Sequence, residues 1–311
     1  MMASVKAQLL SLFKGRDLGN VTQFNGVTFR RSSTGLSLNL RNYWAKLLSI
    51  PSLAARQPAA VPISKKVSTS DCPDEVIHRI RKQYWRLIGF LTYGVTRVRL
   101  DLVYSVSALA RVMSNPAQVH LDQIKHCFSY IASTINEELH FPRDESVQIG
   151  QDFRFTIWPD SSHADDDVTM RSTGGWFMFL QPGQGAVAAK SQLRRTVTTS
   201  STESEYCTYS DAAKEAMYAK QFIEELGLFK SVSFDIMVDS QPAQNALKKD
   251  VTHSRFKHIL ISYHYIREVL SSGFARIVKV STHDQIGDAA TKPLSENLVR
   301  KFRALILGRP P

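Results

Sequence analysis

From residue 147 onward the chain reads as three short strands joined by tight turns, then a long helix, a strand, two helices, a strand and a final helix. Few architectures accept that order. Phe153-Arg-Phe-Thr-Ile-Trp158 alternates apolar and polar residues and predicts the first strand. Gly175-Trp-Phe-Met-Phe-Leu180 predicts a second, and Ala186–Lys190 a third after the turn Pro182–Gly185. Ser200, Ser201 and Thr202 offer N-caps to a helix whose stripe is Tyr206, Tyr209, Ala213, Ala216, Ile223 and Leu226, ending at Gly227. Ser233–Val238 predicts a fourth strand, Ser240–Lys249 and Lys257–Leu270 two helices, Phe274–Val280 a fifth strand and Ser295–Leu307 a last helix. Tight links make the first three strands antiparallel; helical links make the later ones parallel. The expectation is an α/β fold with a five-stranded mixed sheet over residues 147–311.

Three further segments precede it. Residues 1–50 predict a short amphipathic helix (Val5, Leu9, Leu10, Phe13), a hairpin of Thr22–Arg31 with Leu36–Leu40, and a helix around Tyr43–Leu48. Residues 51–75 hold Pro51, Pro58, Pro62 and Pro73 among Ala and Ser, without a period, and read as a linker. Residues 76–146 read as a helical connection, with stripes in Arg81–Gly94, Leu102–Met113 and Ala117–Ile131.

Three widely spaced cysteines (Cys72, Cys127, Cys207) without a Cys-x-x-Cys pair argue for a reducing intracellular setting and against a zinc site. No apolar run approaches the ~20 residues a bilayer span needs, so no membrane is expected as a partner. Net charge is +11, and residues 1–70 hold ten Lys and Arg against one acid, Asp17. Such a surface attracts polyanions, nucleic acid among them, or is a solvated basic tail.

Four acids sit where elements end. Asp160 closes the first strand, on the face of Arg154 and Thr156. Glu205 lies in the first turn of the long helix, Asp239 ends the fourth strand, and Asp288 lies between the fifth strand and the last helix. In open α/β sheets ligands gather at the carboxyl ends of strands. Each acid also has a plain structural reading. Asp160 can open a turn, Glu205 can complete a capping box with Thr202, Asp239 can cap the next helix, and Asp288 can sit in an exposed first turn. Spacing alone leaves these alternatives open.

A series of ordered words does more. Tyr84-Trp-Arg-Leu-Ile-Gly-Phe-Leu-Thr-Tyr93, Arg111-Val-Met-Ser-Asn-Pro116, Arg171-Ser-Thr-Gly-Gly175, Ser200-Ser-Thr-Glu-Ser-Glu-Tyr206, Val238-Asp-Ser-Gln241, His253-Ser-Arg-Phe-Lys-His-Ile259, Asp284-Gln-Ile-Gly-Asp288 and Thr291-Lys-Pro-Leu294 follow one another. Together they resemble the end of the Pol polyprotein of copia-type LTR retrotransposons. Phe13-Lys-Gly-Arg-Asp-Leu-Gly19 and Tyr43-Trp-Ala-Lys-Leu-Leu48 are similar to the tail of that family's reverse transcriptase. The polymerase's Tyr-x-Asp-Asp is absent.

The resemblance implies a ribonuclease H-like domain at 147–311, preceded by a helical/hairpin remnant of the reverse transcriptase. It implies Asp160, Glu205 (rather than Glu203), Asp239 and Asp288 as a catalytic set holding two Mg²⁺ or Mn²⁺ ions, which would cut the RNA strand of RNA–DNA hybrids. Ser201, Ser240, Gln241, Arg255, Lys257 and His258 are the expected substrate contacts. For the basic cluster the alternative is a capped, solvated helix start. The resemblance further implies the rest of Pol as partner, in a cytoplasmic virus-like particle or the nucleus. His283 is a candidate proton shuttle; Trp176, Phe177 and Phe179 read as core. The sequence departs from the family at Pro159, where Ser or Thr is usual, and at Ser162, where an acid is common. Pro159 and the missing polymerase palm favour a second expectation, an inactive nucleic-acid-binding remnant; the survival of all four acids favours the nuclease. A transposase or integrase of the same broad fold is disfavoured, because Glu205 precedes the fourth strand.

Overall fold

The computed structural model describes residues 2–53, 57–68, 72–239 and 257–309, with backbone alone at 2, 3, 257–261 and 263. The expected helix over Ser240–Lys249 lies outside the described residues.

After a first helix α1 (Met2–Leu12), the strands β1 (Gln23–Phe24), β2 (Val27–Ser32) and β3 (Gly35–Asn39) form an antiparallel meander. Asn25 and Gly26 both take positive φ between β1 and β2, as a two-residue hairpin turn demands. Helix α2 (Arg41–Leu48) follows, then α3 (Asp74–Arg97), α4 (Val103–Arg111) and α5 (Gln118–Ser133). A four-residue strand β4 (Leu139–Pro142), absent from the sequence expectations, closes the meander on β3 with Leu36 opposite Phe141. The apolar residues that suggested an amphipathic helix, Val5, Leu9 and Leu10 of α1 and Phe13 just after it, are exposed.

Residues 57–68 have no helix or strand but run along α5. The Ser133 hydroxyl accepts the Ala59 N–H, Gln123 donates to the Lys65 carbonyl, and Ile63 is buried against Tyr104 and Ala108. Residues 57–68 of the segment read as a linker are therefore a docked strap. Its prolines hide its attachment from any periodicity.

The second sheet holds β5 (Asp152–Ser162), β6 (Thr173–Phe179), β7 (Ala188–Leu193), β8 (Ser231–Val238) and β9 (Ala275–Lys279) in the order β7-β6-β5-β8-β9. The β7–β6–β5 pairs are antiparallel and the β5–β8 and β8–β9 pairs parallel. With helices α6 (Ser201–Glu225), α7 (Lys257–Ser271) and α8 (Glu296–Ile306), this is the ribonuclease H-like α/β architecture. One face, carrying Phe153, Phe155, Ile157, Phe234 and Ile236, packs on the Tyr209–Ala216 stripe of α6.

The opposite face, with Phe177, Phe179 and Trp158, shares one core with Phe302 and Ile306 of α8 and with Trp44, Tyr84 and Phe128 of the first half. Gly94 admits the Trp44 ring there: a Cβ on it would stand 2.1 Å from the indole. The halves also join through backbone, since the His140 N–H donates to the Leu307 carbonyl and the Gly185 N–H to that of His140. No helix among the described residues is long and apolar enough to cross a membrane.

Candidate active site

Strand β5 runs two residues past Asp160, pairing Asp160 with Gly175 and Ser162 with Thr173, so Asp160 lies inside the strand rather than closing it. Pro159 does not end the ladder on this side. On the other side the pairing with β8 stops at Ile157 opposite Ile236, before Pro159. A residue without an N–H thus sits where no parallel partner asks for one. Beyond it β5 and β8 no longer pair; Asp160 follows on β5 and Asp239 comes directly after β8.

The turn that carries Asp288 (Ile286–Ala290) lies on this part of β5 and β6. Two glycines permit the approach. A Cβ on Gly287 would stand 2.7 Å from the Asp160 Cβ, and one on Gly175 would stand 2.6 Å from that of Ala290. Asp288 is therefore half-buried beside Asp160, not in an exposed turn, and its carboxylate takes the Lys292 ammonium at 2.7 Å. The Thr291 hydroxyl donates to Asp160.

Helix α6 brings Glu205. Its cap is formed by two other residues. The Ser200 hydroxyl accepts the Glu203 N–H at 3.1 Å, while Glu203 Oε2 accepts the Thr199 N–H and hydroxyl at 2.6 and 2.7 Å. That reciprocal arrangement uses Glu203, so the structural alternative of a cap pairing Thr202 with Glu205 is not realised. Glu205 is half-buried one turn ahead of Tyr209.

Electrostatics tie the four acids into one region. Burial, then the charge of Asp288, push the Asp160 carboxyl up to about 7, against the pull of Thr291 and Lys292. Burial, followed by Glu205, Asp160 and Asp239, drives the Tyr209 phenol far above its ordinary range. Burial works to lower the Lys292 pKa, but the hydrogen bond to Asp288 and the charges of Asp160, Asp288 and Asp239 hold it raised. Tyr209 and Lys292 between them feel all four carboxylates. The convergence is incomplete as a ligand shell, because among the described residues no three His, Cys, Asp or Glu side chains form a group that could hold a metal ion. Asp160 and Asp288 are turned to Thr291 and Lys292. The donor chemistry suits a hard divalent cation, being all carboxylate oxygen. A second positive charge would also relieve the repulsion that Asp160 carries.

The other expected residues are placed as follows. Ser201 is exposed at the start of α6. Ser240, Gln241 and Arg255 lie outside the described residues; Lys257 and His258 open α7, with backbone alone described. His283 is exposed, its carbonyl accepting from Lys301. Trp176, Phe177 and Phe179 are buried. Sequence reasoning missed Tyr209, Gly287, Gln285 and Lys292. Two of them stood at a helical neighbour spacing, Tyr209 four residues after Glu205 and Lys292 four after Asp288. Gln285 carried no such signal.

No family model matches the chain. It is 28% identical over 313 residues to the Retrovirus-related Pol polyprotein from transposon TNT 1-94 of Nicotiana tabacum, covering 98% of this chain and 23% of that protein. It is 30% identical over 294 residues to the corresponding protein from transposon RE1 of Arabidopsis thaliana, covering 94% of this chain and 19% of that one. The chain thus spans about a fifth of the length of these curated relatives. Among solved structures, RNase H1 from the halophilic archaeon Halobacterium salinarum is similar at 19% identity with a TM-score of 0.32, covering 44% of this chain and 94% of that one.

Proposed function

We propose, for a chain that belongs with the Pol polyproteins of plant and yeast retrotransposons and has a ribonuclease H-like fold, that it cleaves the RNA strand of RNA–DNA hybrids. The observation that carries this reading is the packing of the Asp288 turn against Asp160 through Gly287, where the pairing of β5 with β8 has ended, with Asp239 directly after β8 and Glu205 in the first turns of α6. A protein gathers like charges in a half-buried site at a cost, and a bound cation offsets it.

Asp160, Glu205, Asp239 and Asp288 would hold Mg²⁺ or Mn²⁺. Two such ions, when bound, supply an activated water and stabilise the leaving oxygen. The chain's own residues prepare the site. Gly287 and Gly175 bring Asp288 against Asp160, Pro159 sits where the parallel pairing has ended, and Lys292 balances the charge of Asp288. Contacts to the 2′-hydroxyl would mark the RNA strand. Ser201, Ser240, Gln241, Arg255, Lys257 and His258 belong to this proposal as substrate contacts, as does the setting within a copia-type Pol protein.

A second reading, hybrid binding without cleavage, is favoured by one observation: Lys292 already occupies the Asp288 carboxylate, and among the described residues no three His, Cys, Asp or Glu form a group that could hold a metal ion. Incubation of a labelled hybrid with Mg²⁺, with and without chelator, separates the two. Chelator-sensitive cutting of the RNA strand alone supports the nuclease. Binding without cutting supports the remnant.

A further inference from the structure

Gln285 is 0% exposed, and its side-chain amide makes three hydrogen bonds to backbone. Nε2 donates to the Pro159 carbonyl and to the Met237 carbonyl, each at 3.3 Å, and Oε1 accepts the Gly287 N–H at 3.1 Å. Those three backbone groups belong to the residue before Asp160, the second residue before Asp239 and the residue before Asp288. The Gln285 main-chain carbonyl also accepts the Asp288 N–H at 3.2 Å.

The position explains the side chain. Parallel pairing of β5 with β8 ends at Ile157 and Ile236, and beyond it the Pro159 and Met237 carbonyls accept from Gln285. An amide supplies two donors and an acceptor in one plane, so a single glutamine bridges both strands and caps the turn behind it. An ionisable or apolar side chain of this length lacks that combination.

We propose that Gln285 is a positioning residue that sets the relative placement of Asp160, Asp239 and Asp288 for a divalent cation. This deepens the nuclease reading and takes its choice of ligand from it. It acts on the carboxylates through the backbone and touches neither cation nor substrate. Groups misplaced by a fraction of an ångström lose ligand affinity before they lose the fold.

The experiment measures Mn²⁺ binding to the full chain by electron paramagnetic resonance, beside thermal unfolding and hybrid cleavage. Gln285→Met fills the volume and removes all three side-chain bonds; Gln285→Asn keeps the amide on a shorter stem. Phe302→Leu, in the buried face of α8, is the control for general softening. The expected result is Mn²⁺ affinity about tenfold or more weaker in both Gln285 variants, comparable to the loss from removing an outer-shell partner, with near-native affinity in Phe302→Leu. Should Gln285→Met not fold, Gln285→Asn carries the test alone. Affinity within twofold of the parent in a folded Gln285 variant, equal weakening in Phe302→Leu, or no Mn²⁺ binding by the parent overturns the proposal. If the parent binds Mn²⁺ with an affinity that falls in the Gln285 variants yet cuts no hybrid, the nuclease reading fails and the positioning role stands. If it cuts hybrid with Mn²⁺ affinity indifferent to Gln285, the reverse holds.

Discussion

Gly287 lies so close to Asp160 that a methyl group on it would stand 2.7 Å from the Asp160 Cβ and 3.0 Å from the Trp158 carbonyl. The contact is with backbone and with a strand-bound carboxylate, neither of which can step aside cheaply. Gly287→Ala should lift the turn carrying Asp288 off β5. Hybrid cleavage is expected to fall at least tenfold, roughly the penalty of an ångström-scale misplacement, while far-ultraviolet circular dichroism stays native.

Glu203 and Glu205 should separate cleanly. Glu205→Gln is expected to abolish cleavage with little change in stability. Glu203→Ala breaks the capping box and should cost about 1 kcal/mol, seen as a lower melting temperature, with cleavage retained at permissive temperature. Measuring both variants by thermal unfolding and hybrid cleavage decides which acid belongs to the chemistry. The opposite pattern would reject the assignment of Glu205.

Asp160→Asn should abolish cleavage and stabilise the cation-free protein in a pH-dependent way. In the fold the carboxyl titrates at about 7, against 3.8 unperturbed. Its neutral form is favoured, so its contribution is complete below pH 3.8 and lost as pH rises to about 7. The melting temperature of Asp160→Asn relative to the parent should therefore climb between these limits and level off above pH 7. A gain of about 2–4 °C for each kcal/mol is the scale expected. A difference independent of pH would show that the carboxyl is not strained.

Lys292→Gln removes the ammonium that balances Asp160 and Asp288. The lysine side chain is 43% exposed, which discounts the loss to about 1 kcal/mol. The cation-free variant should melt lower than the parent, and Mg²⁺ should raise its melting temperature by more than it raises the parent's. Equal Mg²⁺ responses would separate Lys292 from the cation site.

Much of this site was legible because it rests on local signals. Alternation placed Phe153, Phe155 and Ile157 on one face and Asp160 on the other, and the stripe of α6 fixed which way Glu205 could not point. What escaped depended on closure of distant segments. The strand β4 is only four residues long, and its partner lies about a hundred residues upstream. Proline at 159 stood out only as a departure from the family's residue; that it sits where the parallel pairing has already ended shows only in the sheet. Gln285 looked like any polar loop residue, since only the parting of β5 from β8 gives its amide something to bridge. The cap of α6 fell to Ser200 and Glu203 rather than to Thr202. Three consecutive hydroxyl residues made that choice invisible until the helix was set against the sheet.

Burial of Phe177, Phe179 and Phe302 alongside Trp44, Tyr84 and Phe128 has a consequence for how the molecule can be dissected. Cut at residue 146, the downstream piece would bare to water the apolar surface that the first half now covers beside α8, with its last helix robbed of footing at His140. Such a piece would clump or recruit detergent before its chemistry could be assayed. The same mutual dependence means that insertions and deletions in the upstream helices register as lost solubility of the acid-bearing half, though they touch none of its acids.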